Sequence, residues 1–126
     1  MKYIVAGGRD FNNYNLIKLC LDAYHTQQSC PDFNIDTIIS GCARGTDQLA
    51  IQWAKENDVP IIYCPACWDE YGKSAGFIRN AEMGDMADAA ICFWDGNSKG
   101  TAHMIKTMEK LKKPCFVYDY EGRLRQ

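Results

Sequence analysis

The sequence predicts an α/β fold: a doubly wound parallel sheet of about five strands, order 3-2-1-4-5, with helices on both faces. Two observations carry that prediction. Short β-rich runs alternate with segments of helical period, the pattern of repeated βαβ units. Right-handed crossovers between parallel strands then leave few topologies. The 126 residues suit one domain spanning 1–126, a size that buries a sufficient core without metals or crosslinks.

The first strand is read at Lys2 to Ala6, closed by Gly7-Gly8, and a helix follows from about Asn13 to Gln27 with Leu16, Leu19, Cys20 and Ala23 as its apolar stripe. A second strand, Asp36 to Ser40, leads through a glycine-containing turn to a helix carrying Leu49, Ala50, Trp53 and Ala54 on one face. That helix ends near Asn57, before Pro60. Ile61 to Cys64 reads as the third strand. The longest irregular stretch, Pro65 to Gly76, precedes a short helix from Phe77 to about Met86, and loops of that length are often functional. The fourth strand is Ala89 to Trp94, and the next helix places Ile105, Met108 and Leu111 inward. Cys115 to Tyr118 forms the fifth strand, and the charged tail from Glu121 to Gln126 is expected to fray.

Bulk properties exclude several classes. With 47% hydrophobic and 24% charged residues the chain is ordinary for a globular protein. A net charge of -2 and a pI near 5.6 give no global attraction to polyanions, so the sequence argues against nucleic acid as a partner. No apolar run reaches the roughly 20 residues of a membrane span, and glycines interrupt the N-terminal run too early for a signal peptide. A cytoplasmic protein without a membrane role is the expectation. Seven cysteines are an odd number, and Cys64, Cys92 and Cys115 sit in apolar runs, so free thiols are expected. Cys64-Pro65-Ala66-Cys67 lacks the second pair or the histidines that would complete a metal site, and no cofactor is assigned. His25 and His103 have no visible partner for nucleophilic catalysis.

Candidate site residues collect after strands. The segments are Gly7-Gly8-Arg9-Asp10-Phe11, then Ser40-Gly41 with Arg44-Gly45-Thr46-Asp47, then Asp95-Gly96 with Ser98-Lys99-Gly100-Thr101. Glycine lets backbone N–H groups approach an anion, and a helix starting just beyond the loop adds its positive end. Any one of these loops reads as a tight turn with Thr46 or Ser98 as N-cap; three on one sheet edge point to phosphate binding. Arg9 and Arg44 offer bidentate donors. Neither a dinucleotide GxGxxG nor a Walker P-loop is present.

A fourth segment carries Trp68, Tyr71, Lys73, Arg79 and Asn80. Trp68 or Tyr71 suits stacking on a base, and Lys73 and Arg79 suit phosphate or ribose oxygens.

Together with Met83, Ala87-Asp88 and Gly100-Thr101, these segments resemble the YspA-like branch of the SLOG superfamily over nearly the whole chain. The resemblance implies a Rossmann-like fold and a nucleotide-related ligand. The superfamily also holds the LOG phosphoribohydrolases, which cut the base from a nucleoside monophosphate, and the single-stranded-DNA-binding protein DprA. LOG enzymes follow a GGxGT segment with a catalytic glutamate, whereas Gly100-Thr101 here leads into Ala102-His103-Met104-Ile105. Hydrolysis would therefore fall to Asp10, Asp47, Asp95 or Glu82 as the acid or base. A carboxylate beside a phosphate loop equally suits a ribose hydroxyl. Self-association of LOG-type relatives implies a homodimer or larger. The leading expectation is a protein that binds, senses or sequesters a nucleotide-derived small molecule; a nucleotide hydrolase and a DprA-like DNA binder are the alternatives.

Overall fold

A computed structural model describes residues 1–25 and 34–125, apart from the Lys73 side chain. Six strands form one sheet: β1 Lys2–Gly7, β2 Thr37–Ser40, β3 Ile61–Tyr63, β4 Ala89–Phe93, β5 Cys115–Tyr118 and β6 Leu124–Arg125. Their order is β3-β2-β1-β4-β5-β6. Every neighbouring pair is parallel except β5 with β6. The helices are α1 Tyr14–His25, α2 Thr46–Glu56, the single turn α3 Trp68–Tyr71, α4 Ala75–Met86 and α5 Lys99–Lys110. The expected extension of α1 to Gln27 lies outside the described residues.

The two-residue alternation of the central strands divides the core into two layers. On one face Tyr3, Val5, Ile38, Ile91 and Phe93 pack against Ile17 and Leu21 of α1 and Ala50, Trp53 and Ala54 of α2. On the other, Ile4, Ile39, Ala90 and Cys92 meet Met83 of α4 with Met104 and Met108 of α5. Both faces of β1 and β4 are therefore covered, as their continuous apolar runs require. The crossover helices after β1 and β4 lie on opposite faces, so strand order reverses between these two strands and a crevice opens beyond their carboxyl ends.

Four expectations are corrected. The inner stripe of α1 is Ile17 and Leu21, while Leu19 is 71% exposed. In α5 the buried residues are Thr101, Met104 and Met108, and Leu111 lies exposed beyond the helix end. The stretch from Pro65 to Gly76 is not irregular throughout: it holds α3 and a 3-10 turn, Gly72–Ser74. The tail does not simply fray. Asp119 Oδ1 accepts the Glu121 and Arg123 N–H groups at 2.9 Å each, Gly122 takes φ +88°, and the chain turns back to pair β6 with β5.

Candidate functional site

The loops after β1 and β2 are locked together by atoms too close for side chains to intervene. A Cβ on Gly7 would stand 2.5 Å from both the Phe93 carbonyl and the Thr46 hydroxyl oxygen. At Gly45, φ is +78° and a Cβ would lie 2.5 Å from the Gly8 and Arg9 carbonyl oxygens. The Thr46 hydroxyl and backbone N–H donate to the Gly8 carbonyl at 3.1 and 3.2 Å, and the Gly8 N–H donates to Phe93 at 3.2 Å. Thr46 is fully buried and begins α2 behind Gly45, so it is a tie between loops rather than the expected N-cap.

Beyond this lock lies a cleft of about 520 Å3. Gly7, Gly8, Arg9 and Asp10 approach from β1, Ala43, Arg44 and Asp47 from the loop and helix after β2, Arg79 and Asn80 from α4, and Ser98, Gly100 and Thr101 from the start of α5; Ala6, Met83 and Met104 also line it. A second cleft of about 390 Å3 shares Arg9, Ala43, Arg44 and Arg79 with the first and adds Gly41, Cys42, Pro65, Ala66 and Trp68. Arg9, Arg44 and Arg79 therefore line both clefts.

Two side chains brace this wall. Arg79 donates from Nη1 to the Gly41 carbonyl at 2.8 Å and from Nε to Asn80 Oδ1 at 3.2 Å, two of the five donors a guanidinium carries. Asn80 is buried, and its Nδ2 donates to the Gly100 carbonyl at 3.2 Å. His103 Nδ1 lies 3.2 Å from the same Asn80 nitrogen, and its ring is 4.4 Å from that of Phe77. Burial and the nearby Lys110 and Lys106 hold its pKa below the usual histidine value.

Asp47 is 6% exposed and its Oδ2 accepts the Ala43 N–H at 3.1 Å. Burial pushes its pKa up to about 6, against the opposing pull of that N–H and of Arg79 and Arg9. Asp10 is exposed at the cleft rim, where Tyr120 donates its hydroxyl to Oδ1 at 2.6 Å.

The α5 terminus faces the cleft with its amides uncapped. Ser98 is the N-cap residue but makes no side-chain cap bond; its hydroxyl pairs with that of Thr101 at 3.2 Å. The first helical bond is Ala102 N–H to Ser98, so among the described residues the Lys99, Gly100 and Thr101 N–H groups precede the helical ladder and have no partner within it. A Cβ on Gly100 would meet nothing within 4 Å.

Several expected contacts lie elsewhere. Phe11 is 3% exposed and stacks on Phe93 at 5.0 Å, so it belongs to the core. Ser40 is fully buried, its oxygen accepting the Cys42 N–H at 3.2 Å. Asp95 turns onto its own loop, accepting the Asn97 and Ser98 N–H groups at 2.8 Å each, which lowers its pKa. Gly96 forms that turn at φ +88°. Glu82, Tyr71 and Lys99 are exposed and line neither cleft, and the Lys73 side chain lies outside the described residues. Sequence reading did not single out Tyr120, which steadies Asp10, or Met104, which floors the cleft. For Tyr120 the only signal was an aromatic beside the last strand; Met104 sits one turn after Gly100-Thr101.

The model of the YspA, cpYpsA-related SLOG family (YAcAr) matches residues 1–71. The chain belongs to this family. A relative in sequence is the Gene 61 protein of Mycobacterium phage D29, 37% identical over an 88-residue alignment that covers 64% of this chain and 70% of the relative. In structure the chain is similar to DNA processing protein A (DprA) from Streptococcus pneumoniae, with TM-score 0.73 and 15% identity. That match covers 93% of this chain but only 50% of DprA. DNA processing protein A from Helicobacter pylori, whose structure is described by its single-stranded DNA binding mode, matches with TM-score 0.59 and 18% identity, over 94% of this chain and 65% of that one.

These similarities support a nucleotide- or nucleic-acid-related binding role for the SLOG fold seen here. They also correct the exclusion of nucleic acid drawn from the acidic pI. The H. pylori protein that shares this fold is described by its single-stranded DNA binding mode, and whole-chain charge is the wrong measure when Arg9, Arg44 and Arg79 gather at one edge. Among the described residues no helix is long and apolar enough to cross a membrane.

Proposed function

We propose that this chain binds a nucleotide-derived ligand by its phosphate in the cleft beyond β1 and β4. The observation that carries the reading is convergence: guanidinium groups from two loops and α4 border the same cleft as the uncapped start of α5. Arginine matches phosphate with paired donors, and the helix start adds free amides and a partial positive charge. Buried Asp47 supplies an acceptor for a sugar hydroxyl. Calorimetric titration with 5′-AMP and adenosine tests this. The phosphate-bearing ligand should bind at least about tenfold more tightly and be displaced by inorganic phosphate; equal affinity for both contradicts the reading.

Single-stranded DNA is the second reading, favoured by half-exposed Trp68 beside the three arginines and by the DprA fold. Retention of an oligonucleotide that weakens steeply with salt supports it. Retention that salt leaves unchanged counts against it. A cytoplasmic setting and a homodimer or larger assembly go with either reading, the assembly supported by exposed Phe77 and Met86 on α4. A single-chain mass in light scattering contradicts the assembly.

A further inference from the structure

The two clefts differ in chemistry and meet at a charged wall. The first is lined by glycines, hydroxyls and the α5 amides. The second offers a half-exposed indole with Pro65 and Ala66 beside it. The edge of the Trp68 ring rests near Gly76, 3.5 Å from where a Cβ would stand, so α4 limits its movement. Each volume alone falls in the roughly 300–1,000 Å3 range of small-molecule sites. A flat aromatic surface next to guanidinium groups suits a base whose phosphate lies at those groups.

Resting on the phosphate reading above, we infer that the ligand has two units: one seated in the first cleft, the linking phosphate at Arg9, Arg44 and Arg79, and an aromatic base stacked on Trp68 in the second. The ligand class is thus a dinucleotide, joined either through pyrophosphate as a soluble small molecule or through a phosphodiester as part of a strand. Both sources present the same chemistry to the wall.

The test measures dissociation constants of 5′-AMP, diadenosine diphosphate and the 5′-phosphorylated dinucleotide of deoxyadenosine, for the intact chain and its Trp68 variants. At least one dinucleotide should bind about tenfold more tightly than AMP, the order of gain one stacked base supplies. The tighter of the two identifies the linkage. Trp68→Ala should reduce that ratio to within about twofold of one, and Trp68→Phe should preserve most of it. Circular dichroism of each variant verifies the fold. A ratio near one in the intact chain overturns the inference while leaving the phosphate reading standing, as does a ratio that Trp68→Ala leaves unchanged. Failure of all three ligands to bind overturns both.

Discussion

Arg79 donates from Nη1 to the Gly41 carbonyl at 2.8 Å, joining α4 to the loop after β2 at the wall between the two clefts. The bond holds a guanidinium at the site with part of its donor set already spent. It also satisfies the Gly41 carbonyl in a loop whose next two N–H groups are held by Ser40 and Asp47.

Replacing Arg79 by lysine keeps the charge but loses the planar fork that reaches Gly41 and Asn80 together. Arg79→Lys should lower stability by about 1–2 kcal/mol in urea unfolding and weaken 5′-AMP binding. Unchanged stability would mean that the bridge contributes little to the loop.

Gly45 and Gly100 make opposite predictions. At Gly45 a Cβ meets two backbone carbonyl oxygens at 2.5 Å and the backbone has φ +78°, so Gly45→Ala should cost about 1–3 kcal/mol. At Gly100 there is open space inside a helix, so Gly100→Ala should be neutral or stabilising by up to about 1 kcal/mol. Its effect should fall on phosphate binding, because the added methyl stands at the cleft. Thermal melts and titrations of both variants distinguish the two roles.

Asp47 makes stability depend on pH in a stated direction. Its folded pKa of about 6 lies above the roughly 3.9 of an unfolded aspartate. The folded state therefore holds the proton more tightly between those values. Its favourable contribution is complete below about pH 4 and is lost as pH rises through about 6. Asp47→Asn should remove this dependence, so the variant should gain on the parent by roughly 2–3 kcal/mol from pH 4 to pH 7. Parallel stability curves across that window contradict the assignment.

Arg44 is exposed and lines both clefts, so Arg44→Gln should leave the melting temperature nearly unchanged. If single-stranded DNA binds, the variant should reduce the slope of log affinity against log salt by about one. For 5′-AMP, the loss should be about tenfold.

The sheet was legible because covered parallel strands must be apolar on both faces, and those runs cannot be mistaken for the amphipathic helices between them. Strand order followed from crossover handedness. β6 was hidden: two residues of a charged tail carry no periodic signal, and what makes them a strand is the turn at Asp119 and Gly122. Leu19 misled for a related reason, since four apolar residues near helical spacing allowed more than one stripe on α1. At the site, Arg9, Arg44, Arg79 and Asn80 could be grouped by their places after strands and at a helix start, and they line one cleft. The glycines were harder to interpret. Sequence alone cannot tell a glycine that admits a ligand from one that admits a neighbouring loop, and Gly7, Gly8 and Gly45 have neighbouring atoms where side chains would stand. Phe11 was drawn into the core by Phe93 and Tyr120, partners distant in sequence.

The central claim is that arginines from separate segments and the start of α5 face one phosphate, and amide chemical shifts during titration of 15N-labelled protein with 5′-AMP test it most directly. The Arg9, Asp10, Gly100 and Thr101 signals should move together and give one dissociation constant, while signals from the far end of α1 stay still. Movement confined to one of these segments, or none at saturating ligand, would contradict the account.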